Sequence, residues 1–330
     1  MKSNIYFIAF LIMCLPSKSF AQDNCPCCTD NHSTFDFWVG DWVVYNTLNN
    51  VIGENKIVKL INENKNELDV TVKFIFQPGE EKLPGGASLM INENVLENPK
   101  VDEILALHVF PDLEAGKVGL RSGMYMASCD EIYMTIEGKG GHGAMPHKNI
   151  DPILTSAQIL TSLQQVISRN CPPTIPSVLS FGRIEGLGAT NVIPNEVKIE
   201  GTFRTMNELW REKAHHLIKK QATFIAKGNG ATAHVNIIKG YPYLENNPEL
   251  TEKSRTKLKN HFGEEYVIDL PIRMTGEDFA FYAQKVPATF IRVGVRNEDN
   301  GIIHAVHNSK FDIDNHALKI GVESLLSLIF

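Results

Sequence analysis

Two adjacent glutamates, Glu80 and Glu81, are residues whose type and position could support catalysis. They lie in the loop 77–81, directly after the apolar run 72–76, which is typical of a buried strand. In a loop, neighbouring carboxylates can point apart, so that one binds a metal ion while the other accepts a proton from the attacking water. Taken alone, an acidic pair of this kind is more often simply solvated.

Three histidines strengthen the interpretation of this pair as part of a metal site. His108 ends the apolar run 102–109, which has the pattern of a strand buried on both faces. Open α/β sheets place their ligand sites at such strand ends. His304 and His307 lie in a polar loop near the C-terminus. Because imidazole and carboxylate both bind zinc-like ions, these residues together predict a metal centre.

The elements that position these residues indicate an α/β fold. From Thr71 onward, short apolar strands alternate with helical patterns, which include a strand near 195–204 and a helix near 276–285. Residues 130–240 give the order βαββαβ, a ferredoxin-like unit, with a helix beginning at Asp151-Pro152 because aspartate caps a helix and proline fits its first turn. We predict that residues 129–240 are inserted into a parent domain formed by 71–128 and 241–330.

The first 70 residues differ in character from the rest. Lys2, the apolar run 5–15 and the small residues before Gln22 predict a signal peptide, residues 1–21, cleaved after Ala21. The mature protein is then expected to be exported, either periplasmic or extracellular. Residues 22–70 are β-rich and resemble the start of an exported lipocalin-like domain, but they are too few to close a barrel of about eight strands.

A cysteine cluster lies in this segment, at Cys25, Cys27 and Cys28, with His32 nearby. It could form a metal or redox site, or a disulfide-tied terminus. The second interpretation is favoured, because no further cysteine pair completes a tetrahedral site.

The charge balance argues against nucleic acid as a partner. The net charge is −6, from 32 basic and 38 acidic residues, and no basic block stands out. A small polar or anionic substrate is the better expectation. Beyond the N-terminus, no apolar run approaches the roughly 18 residues of a membrane span, so no membrane association is expected after signal cleavage.

Several short motifs, in a fixed order from about residue 71 onward, carry a more specific signal. They include Phe-Gln-Pro-Gly-Glu-Glu at 76–81, Gly-Lys-Gly-Gly-His-Gly-Ala-Met-Pro-His at 138–147, Asn-Val-Ile-Pro-Asn at 191–195, Gly-Thr-Phe-Arg-Thr at 201–205, Thr-Gly-Glu-Asp-Phe at 275–279 and Val-His-Asn-Ser-Lys-Phe at 306–311. The chain thereby resembles the amidohydrolase branch of the dinuclear metallopeptidase/aminoacylase family. That branch includes hippurate hydrolases, N-acyl-L-amino-acid amidohydrolases and auxin-conjugate hydrolases.

The resemblance implies a metal-dependent active site in a partial, zinc-peptidase-like α/β catalytic domain. Glu80 would be the general base that activates the attacking water. Glu81, His108 and His307 would be metal ligands. The cofactor would be a divalent metal, zinc or manganese-like, with two ions in the family and at most one or two here.

The resemblance also assigns residues of the inserted unit, which would be a dimerisation domain. His142 would reach across the interface of a homodimer to stabilise the oxyanion. Asn191 and Arg204 would bind the substrate, Arg204 because a guanidinium group matches a carboxylate bidentately. The implied substrates are N-acyl amino acids or small peptide-like amides.

One family motif is missing. Members of this branch carry a His-x-Cys-Gly-His-Asp motif that completes the dinuclear site, and nothing similar precedes Phe76. Three ligands can still hold a single metal ion. The missing segment also supplies strands, so we expect run 72–76 to lie at an open sheet edge.

The sequence therefore predicts a metal-dependent amidohydrolase whose activity the missing segment would impair. The alternative is a non-catalytic binding or dimerisation protein, or a fused gene remnant, with a vestigial metal site.

Overall fold

The structure of the protein is a computed structural model. It describes residues 71–330 throughout, together with residues 66, 68 and 70. Nearer the N-terminus it describes the backbone of three strands, Ile5–Phe10, Val43–Tyr45 and Val51–Glu54.

Strands and helices of this part of the chain are numbered in chain order. The strands are β1 (Ile5–Phe10), β2 (Val43–Tyr45), β3 (Val51–Glu54), β4 (Thr71–Phe76), β5 (Glu103–Glu114), β6 (Val118–Leu120), β7 (Gly123–Met126), β8 (Asp130–Glu137), β9 (Gly141–His142), β10 (Ser177–Glu185), β11 (Val192–Ile193), β12 (Glu196–Thr205), β13 (Thr232–Lys239), β14 (Leu244–Asn246), β15 (Val267–Asp269) and β16 (Ala288–Arg296). The α-helices are α1 (Gly86–Asn92), α2 (Pro152–Gln165), α3 (Glu208–Gly228), α4 (Pro248–Phe262), α5 (Ala280–Ala283) and α6 (Asn315–Ile329).

A six-stranded sheet forms the centre of the first unit, with the order β15-β6-β16-β5-β1-β4. β16 and β5 run parallel, and every residue of β16 except Arg296 is buried. Helices α4 and α6 pack on this sheet through Leu250, Leu258 and Ile320, while Ala87 of α1 and Tyr282 of α5 belong to a second core cluster. Because side chains of the two core clusters cover both faces of β16, its sequence is almost continuously apolar.

The second unit is a four-stranded antiparallel sheet with the order β10-β12-β8-β13. Helices α2 and α3 contribute Ile159, Leu163 and Ile218 to its core. The chain order β8-α2-β10-β12-α3-β13 is the ferredoxin-like order that the sequence predicts, and the α/β class is confirmed. Helix α2 begins as expected, because the side chain of Asp151 accepts hydrogen bonds from the N–H groups of Ile153 and Leu154, at 2.8 and 3.1 Å.

Two local predictions are wrong. His108 does not end its strand, because β5 continues to Glu114 alongside β16, where Arg296 pairs with Glu114. The helix expected near 276–285 is reduced to Ala280–Ala283. The residues before it form an irregular loop in which the Glu277 side chain accepts a hydrogen bond from the N–H of Phe279, at 3.3 Å.

Part of the N-terminal apolar run forms a strand of the six-stranded sheet, which was not predicted from the sequence. Its residues Ile5–Phe10 form β1, which pairs in parallel with both β4 and β5. β4 is the terminal strand of the sheet within the described residues, as expected for run 72–76.

Between residues 22 and 70, β2 and β3 form an antiparallel pair. The cysteine cluster and His32 lie outside the described residues. Among the described helices, none is both long and apolar enough to cross a membrane.

Candidate metal centre and active site

Three carboxylates form a compact cluster beyond the end of β4. Glu80 lies in the loop that follows this strand, and Glu277 and Asp278 lie in the loop before α5. Each offers a carboxylate oxygen within 4.8 Å of the other two. Glu277 and Asp278 are 2% and 0% exposed, so the cluster is largely withdrawn from solvent.

The cluster is electrostatically unfavourable when it is fully ionised. Burial, the charge of Asp278 and the charge of Glu81 raise the pKa of Glu80 to about 7. Burial and the charge of Glu80 raise the pKa of Glu277 to about 8. Burial also raises the pKa of Asp278 to about 6. A cation bound close to these carboxylates would relieve the repulsion, so the charge of the cluster favours a divalent metal in its vicinity.

Contacts with Asp278 and a close backbone approach at Gly86 fix the loop that carries Glu80. Asp278 accepts hydrogen bonds from Nε2 of Gln77, at 2.6 Å, and from the N–H of Ala87, at 3.1 Å. A Cβ atom on Gly86 would lie 1.6 Å from the carbonyl oxygen of Pro78, so only glycine fits there. These contacts hold both ends of the loop against the segment that supplies Glu277 and Asp278.

Two of the predicted ligands, Glu81 and His307, lie next to each other. Oε1 of Glu81 is 3.6 Å from Nε2 of His307, and both side chains are exposed. His307 has a φ of 65°, an uncommon conformation for a residue other than glycine. The C-terminal loop therefore presents the imidazole directly to the acidic loop.

The third predicted ligand, His108, is half-buried on β5. Its Nδ1–H donates to the carbonyl oxygen of Val109 at 2.7 Å, which leaves Nε2 as the ring atom available to a metal. Burial and the charge of Arg292 lower the pKa of His108 to about 3, with a smaller contribution from His307. The ring is therefore neutral at physiological pH, which is the form that binds metals.

Three residues of this site, Glu277, Asp278 and Arg292, were assigned no role from the sequence. Glu277 and Asp278 belong to the motif 275–279. Arg292 was missed because its strand reads as apolar, although a single arginine within such a run is itself a signal. Arg292 is 5% exposed, its Nε donates to the Tyr125 hydroxyl at 3.1 Å, and its guanidinium lies over the Phe290 ring, 4.8 Å from the centroid.

A cavity of about 590 Å³ lies between the acidic loop and the sheet of the inserted unit. Its lining includes Glu81, Tyr133, Phe181 and Arg204. The structure therefore brings the predicted carboxylate anchor, Arg204, to the same cavity as a predicted metal ligand.

The remaining two predicted residues lie elsewhere on the inserted unit. His142 is exposed on β9, and its Nδ1 accepts a hydrogen bond from the N–H of Ala144 at 3.1 Å. Asn191 is also exposed, and its carbonyl oxygen accepts from the N–H of Gly143 at 2.8 Å. These two residues are neighbours of each other, but neither lines the cavity that contains Glu81.

Comparison with known proteins identifies the family. Peptidase family M20/M25/M40 matches residues 50–330. A probable hydrolase of Synechocystis is 36% identical over 255 residues, which are 77% of this chain and 64% of that protein. The N-acetylcysteine deacetylase of Bacillus subtilis is 34% identical over 273 residues, 82% of this chain and 68% of the relative.

A solved structure gives the same result. A dinuclear metal-binding peptidase of family M20 from Bacillus subtilis superposes with a TM-score of 0.66 at 29% identity, over 83% of this chain and 68% of that one. The chain thus spans roughly two thirds of the length of these proteins. The predicted family resemblance is confirmed, and the chain belongs to peptidase family M20/M25/M40.

Proposed function

We propose that this protein is a metal-dependent hydrolase that cleaves the amide bond of N-acyl amino acids or small peptide-like substrates. The main supporting observation is the position of Glu80, a carboxyl group with a pKa of about 7 beside Glu277 and next to the Glu81–His307 pair. A base works best when its pKa is close to the working pH, because it is then both available and strong enough.

In this proposal Glu81, His108 and His307 hold the metal, which is a zinc or manganese-like ion. When bound, the metal supplies a Lewis acid that polarises the amide carbonyl and makes a water more acidic. Glu80 accepts the proton of the attacking water and then delivers it to the leaving amine. Arg292 keeps part of the acidic cluster ionised, since its charge opposes the rise in the pKa of Glu80 and Glu277.

Arg204 is the proposed anchor for the substrate carboxylate. It lines a cavity whose volume, about 590 Å³, falls in the range of small-molecule sites, roughly 300–1,000 Å³. Asn191 is a second proposed substrate contact. The name of the Bacillus subtilis relative, an N-acetylcysteine deacetylase, supports an N-acyl amino acid as the substrate class.

A homodimer through the inserted unit completes the proposed site. His142 is exposed and lies outside the cavity that contains Glu81, so we propose that it serves the partner's active site as an oxyanion stabiliser. Exposed apolar side chains of the same unit support an interface, since Val192, which pairs with His142, is 46% exposed, and Ile184 and Leu187 are 53% and 89% exposed. A monomer by light scattering, at the concentration of the activity assay, would remove this role of His142.

We also propose that the protein is exported, on the basis of the N-terminal sequence pattern. Cleavage after Ala21 would remove β1, so export and a complete six-stranded sheet are competing outcomes for this segment.

Hydrolysis of N-acetyl amino acids by protein loaded with Zn²⁺ or Mn²⁺ tests the proposed activity. Replacing Glu80 with glutamine should reduce turnover by about 100-fold or more, because the general base is lost while the size of the side chain is kept. Glu93→Gln is the matched control, since Glu93 is an exposed glutamate at the end of α1 and should keep full activity.

A second candidate function follows from a motif of the family. Because no His-x-Cys-Gly-His-Asp motif precedes Phe76, the alternative is a non-catalytic binding or dimerisation protein, or a fused gene remnant, with a vestigial metal site. Stoichiometric metal with turnover that depends on Glu80 supports the hydrolase. Absence of both metal and turnover would refute it and support the alternative.

A further inference from the structure

The inserted unit joins the rest of the protein through two adjacent segments. One enters β8 at Cys129 and Asp130, and the other leaves β13 at Gly240 and Tyr241. The last pair of the β8–β13 ladder is Asp130 with Lys239. Beyond it, the N–H of Cys129 donates to the carbonyl oxygen of Tyr241 at 3.1 Å. The two segments therefore form one paired connection between the units, which we call the hinge.

A buried ionic network fixes this hinge to helix α3. Asp130 is 1% exposed and accepts hydrogen bonds from Nε of Arg211 at 2.9 Å, from Nε2 of His215 at 2.6 Å and from the N–H of Gly240 at 3.1 Å. Arg211 also donates from Nη2 to the carbonyl oxygen of Gly240 at 3.0 Å. Although burial alone would raise the pKa of Asp130, these partners lower it, so the carboxylate stays charged at neutral pH.

Tyr241, the residue after this fixed glycine, contacts the loop of the proposed general base. Its hydroxyl donates a hydrogen bond to the backbone carbonyl oxygen of Glu80. The phenol ring is 7% exposed and packs edge-on against Phe281, with 6.0 Å between ring centroids. It also limits the space at Gly85, where a Cβ atom would lie 2.9 Å from Cε1 of Tyr241. Asp278 is hydrogen-bonded to the two ends of the same loop, at Gln77 and Ala87, and Tyr241 is hydrogen-bonded to its middle, at Glu80.

We propose that Tyr241 is a positioning residue that fixes the general-base loop relative to the hinge of the inserted unit. A continuous series of contacts runs from Arg211 through Gly240 to Tyr241 and then to Glu80. Movement of the inserted unit about its hinge would therefore shift the backbone of Glu80. The kinetic consequence rests on the proposed hydrolase function, but the mechanical contact does not.

Tyr241→Phe tests the contact, because it removes only the hydroxyl group. Hydrogen exchange followed by mass spectrometry should show the amides of residues 77–87 exchanging about two- to tenfold faster, as expected for the loss of one hydrogen bond. Tyr243→Phe is the matched control. The Tyr243 hydroxyl donates to Glu245 at 2.6 Å at the surface and has no contact with Glu80, so this variant should leave exchange in the loop unchanged.

A second pair of variants tests the connection to the hinge. Arg211→Lys keeps the charge but loses the fork that contacts Asp130 and Gly240 together. It should also accelerate exchange of residues 77–87, and this effect should vanish when Tyr241→Phe is already present, because the connection is then broken. If Arg211→Lys does not fold, the Tyr241→Phe and Tyr243→Phe comparison still decides whether Tyr241 holds the loop.

Kinetics separate positioning from general stability. Tyr241→Phe should lower kcat by about tenfold with KM within about twofold, because the base is displaced while the aromatic ring of residue 241, which lines the substrate cavity, is kept. Unchanged exchange in residues 77–87 would overturn the proposal whether or not the protein is active. Accelerated exchange in a protein without turnover would support the positioning contact and count against the proposed function alone.

Discussion

Arg292 on β16 lies directly opposite His108 on β5, as paired residues of two adjacent parallel strands. The guanidinium is 5% exposed, and its charge opposes the raised pKa of Glu80 and of Glu277 while it lowers the pKa of His108. A buried arginine is tolerated only where nearby groups compensate its charge. The Arg292 guanidinium therefore has two effects on the site. It favours the ionised form of Glu80 and Glu277, and it favours the neutral imidazole of His108.

Removing this cation should destabilise the metal-free protein in a pH-dependent manner. In Arg292→Met the side chain keeps its approximate length, but Glu80 and Glu277 lose a compensating charge. The midpoint of thermal unfolding in the presence of a chelator should therefore fall more at pH 8, where the carboxyl groups ionise, than at pH 5. Arg296→Met is the control, since Arg296 pairs with Glu298 at the surface and should change little at either pH. Equal losses at both pH values would show that Arg292 contributes packing alone.

The wild-type protein without metal should lose stability as the pH rises. The pKa values of Asp278, Glu80 and Glu277 in the folded protein are about 6, 7 and 8, above their ordinary values of 3.8 to 4.5. The folded form thus binds protons more tightly than the unfolded form between about pH 4 and pH 8. Stability is fully present below this window and is lost as the pH rises through it. The lowered pKa of Asp130 acts only below about pH 4, outside the window. The lowered pKa of His108, about 3, acts in the opposite direction up to about pH 6.5, but it is one group against three, so the net trend is a loss of stability.

Thermal unfolding in a chelator, measured from pH 5 to pH 8, checks this sign. Added Zn²⁺ or Mn²⁺ should raise the unfolding midpoint more at pH 8 than at pH 5, because the charge of a cation bound near Glu80 offsets the repulsion among these carboxylates once they are ionised. A midpoint that rises with pH in the presence of chelator would contradict the proposed environment of the cluster.

The ligand assignment predicts a difference between two histidines of one loop. His307 lies 3.6 Å from Glu81, whereas His304, three residues earlier, has no assigned role. His307→Ala should weaken metal binding by more than the roughly 10- to 100-fold that loss of an outer-shell partner costs. His304→Ala should leave it unchanged. Competition with a chromophoric chelator measures both affinities, and equal affinities in the two variants would remove His307 from the ligand set.

Local signals in the sequence predicted most of the inserted unit. Helix α2 begins at the capping residue that its sequence indicates, Asp151, and the predicted strand near 195–204 is found at Glu196–Thr205. The boundaries of these helices and strands depend on capping and periodicity within one segment. No contact with a distant part of the chain is needed to infer them.

The errors arose where distant parts of the chain meet. His108 lies inside its strand because β16, remote in sequence, extends the ladder beyond it. Glu277 and Asp278 join Glu80 only through the fold, so their raised pKa values have no local signal. The motifs of the family gave the identities of Glu81 and His307, but spacing alone could not have predicted that a 3.6 Å contact joins them.

The N-terminal run Ile5–Phe10 was ambiguous for a different reason, because a short apolar segment suits both a signal peptide and a buried strand. In the structure its backbone pairs with β4 and with β5. A chain that begins at Gln22 would lack this strand, so β4 would lose its pairing with β1 and β5 would be left paired with β16 on one side. We therefore expect the truncated chain to unfold at a lower temperature and to aggregate more readily than the full chain, through the unpaired strand edges.

The variant Ile8→Pro provides an independent test in the full chain. Proline removes a backbone N–H in the middle of β1, so it should reproduce much of the loss caused by truncation, whereas Ile8→Val should not. Thermal unfolding and light scattering on the four proteins provide the comparison. If the truncated chain and Ile8→Pro are as stable as the full chain, β1 contributes nothing to the sheet. The segment can then act as a cleaved export signal. In that case the mass of the secreted protein should correspond to a chain that begins at Gln22.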